Sequence, residues 1–443
     1  MIVQIGRKRR RWREQIRGLP VGNGFWRYSR GRREDDPAQG WKIHLAATVL
    51  SASDVFSRAQ PILRGHDALF KVPATLDRLA AVNAGVPQFS QIGKFLTVYP
   101  RSADEATTLA RKLHRATRGL RGPGIPFDAR YRKNSIVYYR YGNSGNGSAR
   151  SNAPGTIADP SGRVRADKRA PGCAVPHWLD DPFQRTVTQR NGTHFGRPLA
   201  PDYLVLKVMA QRGKGAVYEA LDFSAGTPRL VIVKEGRAQG ETAWDGVDGR
   251  VRVKHESRVL RLLRAARLPV PKVLHEFDRD GHRYVILAKI EGSPLLPRNR
   301  VQPAKVSWRR AAIILGQLEL LLSRIHAAGW VWRDCKPSHV FVRRGRFQLL
   351  DFEGACRTKE TDALPWGSRN YLPRACRQRL RRRPGFREDN YALGVIAFQF
   401  GTGQFPPAAK RGRAAIYART RCPDVFRVHI EQLLDANITA PPK

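Results

Sequence analysis

Three charged residues in the second half of the sequence have the types and spacing that phosphoryl transfer requires. Asp334 and Lys336 lie two residues apart after the apolar run 330–332, and Asp351 follows a second apolar stretch. Phosphoryl transfer needs one carboxylate beside the attacking hydroxyl and a second that holds Mg²⁺ between the nucleotide phosphates. We therefore expect Asp334 to orient the hydroxyl, Asp351 to bind the metal and Lys336 to reach the transferred phosphoryl group.

Further upstream, two glycines and two charged residues follow in the order of a nucleotide site. Gly213 and Gly215 lie between two β-rich segments, and glycines let backbone amides approach phosphates closely. Lys234 ends the apolar run 231–233, and Glu256 lies in a predicted helix. This order resembles a protein kinase, which implies that the glycines and Lys234 bind the phosphates of ATP or another nucleoside triphosphate. Glu256 is then expected to pair with Lys234.

Three positions depart from the usual kinase pattern. Trp332 stands where the catalytic loop normally has histidine, and Pro373 is not followed by glutamate. His339 occupies the position of a metal-binding asparagine, and it is our second candidate metal ligand beside Asp351. Because Mg²⁺ prefers oxygen ligands, the sequence leaves open whether these departures reduce the kinase activity or alter its metal. Further along, Asp389 is expected to brace the catalytic loop from a helix.

A separate group of cationic residues lies near the beginning of the chain. Residues 41–45 alternate strictly between apolar and polar side chains, which is the pattern of a half-buried strand. Such a strand places Lys42 and His44 together on one face, where Lys42 could hold a phosphate. Lys71 lies at the centre of another strand-like triplet.

These segments carry a second resemblance. The first part of the chain resembles the lyase domain of class III and IV lanthionine synthetases, which is itself similar to bacterial phosphothreonine lyases. The segments that match this lyase domain are 40–48, 70–72, 93–100 and 138–142. The segments 159–164 and 176–183 and the Asp-Phe-Glu-Gly variant at 351–354 match the synthetase family as a whole. The resemblance extends from about residue 26 to about residue 405.

The resemblance implies a two-step reaction on a ribosomally made precursor peptide. The kinase domain phosphorylates Ser or Thr with ATP and Mg²⁺, and the lyase domain eliminates phosphate to leave dehydroalanine or dehydrobutyrine. Elimination needs a base for the α-proton, an acid for the leaving phosphate and cations around the phosphate. By resemblance Lys71 is the base, with a pKa depressed by neighbouring cations, and His44 is the acid. The expected phosphate-binding residues are Lys42, Lys94, Arg130 and Arg140.

The composition is strongly basic, with 80 Lys and Arg against 37 Asp and Glu and a net charge of +43. This charge favours a partner with an acidic leader segment, and it clusters at 7–13 and 377–383. Without a nucleic-acid-binding motif, we attribute it to general basicity and do not expect nucleic-acid binding.

The cysteines and the hydropathy pattern indicate the cellular compartment in which the protein is expected to lie. Five scattered cysteines indicate neither a disulfide framework nor a zinc site. The basic N-terminus has no apolar core after it, so it does not read as a secretory signal. The most apolar stretch, 311–322, is too short for a bilayer. We therefore expect a cytoplasmic protein with no membrane contact.

The predicted fold class is α+β. Residues 1–150 form a small lyase-like domain with a basic N-terminal arm, and the Gly-, Ser- and Pro-rich residues 151–200 form a linker. Residues 201–443 form a two-lobed kinase-like domain, with strands in an N-lobe to about residue 290 and helices in the C-lobe from about residue 291. Only 49 residues follow Gly394, too few for the helical cyclase of the family. We expect a separate cyclase, an uncyclised product or a fragment.

Two other functions stay open. The chain could be a Ser/Thr kinase whose first domain only binds phosphopeptide. It could also be a non-catalytic binding protein on this scaffold, which the departures at Trp332 and His339 favour.

Overall fold

The structure is a computed structural model. It describes residues 2–20, 24–86, 88–144, 155–167, 175–183, 198–224, 226–297, 300, 302–360, 363–378 and 384–435. Cys173 and residues 379–383 of the second basic cluster lie outside the described residues. Two compact units are present, one of residues 1–251 with 277–284 and the other of residues 252–276 with 285–443. The predicted boundaries near residues 150 and 200 stay predictions.

The first unit contains an antiparallel sheet with the strand order β1-β3-β4-β2-β6-β5. Its strands are β1 (Trp26–Tyr28), β2 (Gln39–Leu45), β3 (Leu69–Pro73), β4 (Leu96–Tyr99), β5 (Ala129–Arg130) and β6 (Val137–Asn143). Strand β2 includes the alternating segment predicted from the sequence. Its apolar residues Ile43 and Leu45 are fully buried in the core.

Helices cover the apolar face of this sheet. They are α1 (Ile2–Gln15), α2 (Ala52–Gly65), α3 (Leu76–Ala84) and α4 (Ala103–Ala116). Helix α4 begins where Ser102 accepts a hydrogen bond from the amide of Glu105, and its apolar side buries Leu109 and Leu113. The basic N-terminal segment is an amphipathic helix, since Trp12 of α1 is 1% exposed and contacts Phe56 in the core.

A β-hairpin occupies part of the segment that the sequence predicted as a linker. It consists of β7 (Thr156–Ala158) and β8 (Val164–Ala166). Asp159 accepts hydrogen bonds from the amides of Ser161 and Arg163, and Gly162 supplies the positive φ that the turn requires. The side chain of Asp159 therefore closes this turn.

A second sheet follows, with the order β13-β14-β12-β11-β10-β9 and antiparallel pairing from β12 to β9. Its strands are β9 (Pro198–Ala200), β10 (Tyr203–Arg212), β11 (Gly215–Asp222), β12 (Arg229–Gly236), β13 (Val273–Arg279) and β14 (His282–Ala288). Helix α5 (Gly249–Ala265) lies between β12 and β13 in the chain. The order of strands before helices matches the prediction from the sequence.

The second unit is mainly helical. Its helices are α6 (Trp308–Ala327), α7 (Arg374–Gln378), α8 (Phe386–Thr402), α9 (Lys410–Thr420) and α10 (Asp424–Leu434). Its short strands are β15 (Ser293–Pro294), β16 (Trp330–Val331), β17 (Val340–Arg343), β18 (Arg346–Leu349) and β19 (Cys356–Arg357). The predicted α+β class is confirmed. Among the described residues, no helix has the length and apolar character needed to cross a membrane.

Candidate active sites

The polar face of the first sheet carries a row of predicted site residues. Reading across the sheet, Lys71 pairs with Thr97, Thr97 with His44, His44 with Tyr138 and Tyr138 with Arg130. Residues that pair directly in an antiparallel sheet point to the same side. The strand register therefore brings Lys71, His44 and Arg130 to the face opposite the helices.

Lys42 and Arg140 pair in the adjacent row of the same face. Both are at least nine-tenths buried, with exposed fractions of 9% and 4%. The Lys42 ammonium donates a hydrogen bond to the carbonyl of Asn143, and the Arg140 guanidinium forms an ion pair with Asp167. Two basic side chains buried next to each other on one sheet face form the kind of site that can bind phosphate.

Asp128 connects two of the predicted residues. It is fully buried, and its carboxylate lies 2.5 Å from Nδ1 of His44 and 3.1 Å from Nζ of Lys94. Burial alone would raise the pKa of Asp128, but Lys94 and His44 together hold it below its usual range. Asp128 was not predicted, because nothing in its local sequence shows that strand β5 brings it beside His44.

The charge states of Lys42 and His44 follow from their surroundings. Burial, followed by the charges of Arg140 and Lys94, lowers the pKa of Lys42 well below its usual value. Burial lowers the pKa of His44 to about 3, although Asp128 opposes this shift. A neutral imidazole whose Nδ1 faces Asp128 keeps Nε2 as the nitrogen available for proton exchange.

Lys71 and Arg130 each lie over an aromatic ring. The Lys71 ammonium is 4.6 Å from the centre of the Trp26 ring, and the Arg130 guanidinium is 5.1 Å from that of Tyr138. A ring face attracts a cation positioned over it. The role of base that the resemblance assigns to Lys71 stays a prediction.

In the second unit, Asp334 lies at the centre of a hydrogen-bonded group. Its Oδ1 accepts from the amide and the hydroxyl of Ser368, each at 2.9 Å. The Lys336 ammonium donates to Oδ2 of Asp334 at 3.0 Å and to the Ser368 hydroxyl at 2.7 Å. Asp334 and Lys336 therefore act as one unit. Ser368 was missed, although it lies in the segment 365–373 that resembles the end of a kinase activation segment.

The residues Asp334, His339 and Asp351 could hold a metal ion, since their ligand atoms lie within 4.8 Å of one another. Nδ1 of His339 is 3.1 Å from the carbonyl oxygen of Asp334, and Nε2 is 3.4 Å from Oδ2 of Asp351. Metal-binding histidines commonly bind a carbonyl through one ring nitrogen and the metal through the other. The hairpin of β17 and β18 brings these residues together, because it reverses the chain so that the amide of Leu350 donates a hydrogen bond to the carbonyl of His339.

Trp332 and Asp389 hold the catalytic loop in place. The indole of Trp332 donates to the carbonyl of Asp351 at 2.9 Å, and its ring stacks on Phe352. Asp389 accepts from the amides of Trp332 and Arg333 at 2.9 and 2.7 Å, as predicted. These bonds stabilise Arg333 at a φ of 70°, which is unfavourable for a non-glycine residue. Trp332 therefore has a structural role in orienting the loop that carries Asp351.

The predicted nucleotide residues occupy the second sheet and helix α5. Glu256 is buried in α5 and accepts a hydrogen bond from the amide of Phe352 at 3.1 Å. Lys234 lies on β12 and pairs with Val217 of β11. The pairing of Lys234 with Glu256 stays a prediction.

Close packing against backbone atoms explains why glycine is present at positions 213 and 215. A Cβ at Gly213 would lie 1.6 Å from the carbonyl oxygen of Asn83, and its amide donates to the carbonyl of Ala84 at 3.3 Å. A Cβ at Gly215 would lie 1.7 Å from the carbonyl oxygen of Glu235. Close backbone approach accounts for both glycines, and their contact with phosphates stays a prediction.

Two parts of the chain match known protein families. Residues 9–193 match the family described as RamC, N-terminal domain, and residues 244–381 match the lipopolysaccharide kinase (Kdo/WaaP) family. The chain is 30% identical over 384 residues to "Probable SapB synthase" of Streptomyces coelicolor. The aligned residues cover 81% of this chain and 40% of that protein.

Two bacterial kinases are also similar to part of the chain. Serine/threonine-protein kinase F of Synechocystis is 29% identical over 204 residues, covering 41% of this chain and 40% of that protein. Serine/threonine-protein kinase PknA of Mycobacterium tuberculosis is 28% identical over 224 residues, covering 48% and 49%. The chain thus spans about half or less of the length of these relatives. The resemblance found in the sequence is confirmed, because the chain combines a region that matches the RamC N-terminal domain with a kinase-like domain.

Proposed function

We propose that this protein dehydrates a ribosomally made precursor peptide in two steps, phosphorylation of Ser or Thr followed by elimination of phosphate. One observation carries the proposal. The buried cationic face around Lys42 and His44 is built from residues that take no part in the Asp334 group, so the chain has two separate sets of reactive side chains. A kinase alone would need only the second set.

In the phosphorylation step, Asp334 orients the peptide hydroxyl and accepts its proton, while Lys336 neutralises charge on the phosphoryl group. Ser368 fixes both side chains through the hydrogen bonds described above. The metal ligands are Asp351 and His339. Bound Mg²⁺ would neutralise the charge of the ATP phosphates. Gly213, Gly215, Lys234 and Glu256 are the proposed nucleotide-binding residues.

In the elimination step, a base removes the α-proton and His44 protonates the leaving phosphate oxygen. The resemblance assigns the base to Lys71, whereas the lowered pKa of Lys42 makes it the second candidate. A phosphate dianion beside His44 adds negative charge, which raises the pKa of the imidazole and lets Nε2 carry a proton. The residues that surround the phosphate are Lys42, Lys94, Arg130 and Arg140.

The proposed partner is a short precursor peptide rich in Ser, Thr and Cys. The curated relative is called a synthase of SapB, which supports a peptide substrate for this chain as well. An acidic leader on that peptide would complement the net charge of +43. The acidic leader and a separate cyclase stay predictions.

Mass spectrometry of the peptide after incubation with enzyme, ATP and Mg²⁺ tests this proposal. Wild-type protein should yield peptide that has lost water. The His44→Ala and Lys71→Ala variants should accumulate phosphopeptide, and Asp334→Asn should leave the peptide unmodified. A synthetic phosphopeptide should lose phosphate without ATP. If wild-type protein leaves that phosphopeptide intact, the first domain is a phosphopeptide-binding module and the elimination step is wrong.

A further inference from the structure

The β7–β8 hairpin is attached by polar contacts to the end of strands β2 and β6, where Gln39 pairs with Asn143. The side-chain amide of Gln39 bonds both the amide and the carbonyl of Ala158, at 2.6 and 2.8 Å. The side chain of Asn143 donates to the carbonyl of Thr156 at 2.8 Å. Ile157 is buried, whereas strand β8 is exposed along its whole length. Segments with few buried apolar contacts open at low free-energy cost.

The residue after this hairpin places a carboxylate on the phosphate-binding face. The amide of Asp167 donates to the carbonyl of Gly155 at 2.7 Å, which fixes Asp167 at the base of the hairpin. Its carboxylate accepts hydrogen bonds from both terminal nitrogens of Arg140, and both side chains are about 95% buried. A Cβ at position 142 would lie 2.8 Å from Arg140 and 2.9 Å from Asp167, so Gly142 leaves the space that this pair occupies.

A carboxylate in a bidentate contact with arginine satisfies the same donors that a phosphate would use. A phosphate dianion cannot replace it while the Asp167 carboxylate stays in place, because two anions in a buried site repel each other strongly. We propose that the β7–β8 hairpin is a gate and that Asp167 is its substrate mimic, which a phosphorylated Ser or Thr displaces from Arg140. The inference rests on the proposed function for the nature of the substrate.

The gate has a consequence for substrate choice. An unphosphorylated hydroxyl brings no charge and cannot displace Asp167, so the hairpin stays closed over Arg140. A phosphorylated residue carries the charge and the oxygen geometry required for the exchange. Asp167 is thus a specificity-determining residue, since it makes entry to the elimination site conditional on prior phosphorylation.

Titration calorimetry with inorganic phosphate tests this exchange on the full chain at constant ionic strength. The Asp167→Asn variant keeps the shape of the side chain and removes the competing charge. We expect it to bind phosphate about tenfold more tightly than wild type, because one repulsive charge contact in a buried site is worth at least that factor. Asp77→Asn, which removes an exposed carboxylate paired with Arg9, changes the net charge equally and should match wild type.

Hydrogen exchange supplies the second measurement. Saturating phosphate should increase exchange in residues 156–166 of wild type, because the hairpin loses the Asp167 contact. Equal or weaker phosphate binding by Asp167→Asn would overturn the gate, and so would unchanged exchange in wild type at saturation. These results are independent of elimination itself. Failure of the wild-type protein to release phosphate from a phosphopeptide would instead count against the proposed function.

Discussion

Replacing Asp128 by asparagine should expose how much the elimination site depends on one buried carboxylate. Asp128 is fully buried between His44 and Lys94, and Lys94 is 4% exposed. Removing one partner of a buried ion pair leaves the other charge uncompensated, at a cost of about 3 kcal/mol. For a domain of 150–250 residues this lowers the thermal midpoint by about 6–12 °C.

Two measurements check this prediction. Calorimetry of the full chain at neutral pH should show the earlier transition in Asp128→Asn but not in Asp77→Asn, whose exposed ion pair contributes about 0.5 kcal/mol. Phosphate release from a phosphopeptide should fall about 100-fold, because His44 loses its orienting partner, while phosphorylation continues. A variant with wild-type stability and wild-type elimination would refute the role of Asp128.

The pH dependence provides an internal check. The pKa of Asp128 is depressed in the folded protein, so the stability it contributes is fully present above the unfolded value of about 3.9. That contribution is lost as the pH falls further, through the folded pKa. The stability difference between wild type and Asp128→Asn should therefore be constant from pH 7 to about pH 5 and shrink below about pH 4. A difference that grows on acidification would contradict the assigned direction.

Three further predictions concern other residues. Asp334→Asn should abolish phosphorylation in a radiolabelled-ATP assay while elimination from a phosphopeptide continues; phosphorylation at the wild-type rate would rule out Asp334 as the catalytic carboxylate. His339→Asn should increase the affinity for Mg²⁺ relative to Mn²⁺ by about tenfold in calorimetry with a non-hydrolysable ATP analogue, because oxygen ligands suit Mg²⁺; an unchanged ratio would show that His339 is not a ligand. Because the pKa of His44 is lowered from 6.5 to about 3, wild type should lose stability as the pH falls from about 6.5 towards 3, and His44→Gln should lose less; equal losses in urea titrations would refute this.

The sequence determined those parts of the sites that depend on local order. Strict alternation over residues 41–45 was enough to place Lys42 and His44 on one face of a strand. In the same way, a short hairpin brings Asp334, His339 and Asp351 together. Their spacing in the sequence was therefore enough to predict that they lie close to one another. Residues close in the chain have few ways to be arranged once their secondary structure is fixed.

Only the tertiary structure decided which distant groups complete these sites. Asp128 and Asp167 are ordinary carboxylates in their local sequence, and each becomes a buried ion-pair partner because a separate strand or hairpin reaches the cationic face. The basic helix α1 likewise shows its role only when Trp12 enters the core. Burial and neighbouring charges set the pKa of Lys42 and of His44. Both of these causes arise only in the folded chain. Side-chain types therefore indicated the chemistry, whereas strand pairing across the sheet determined which groups share a buried environment.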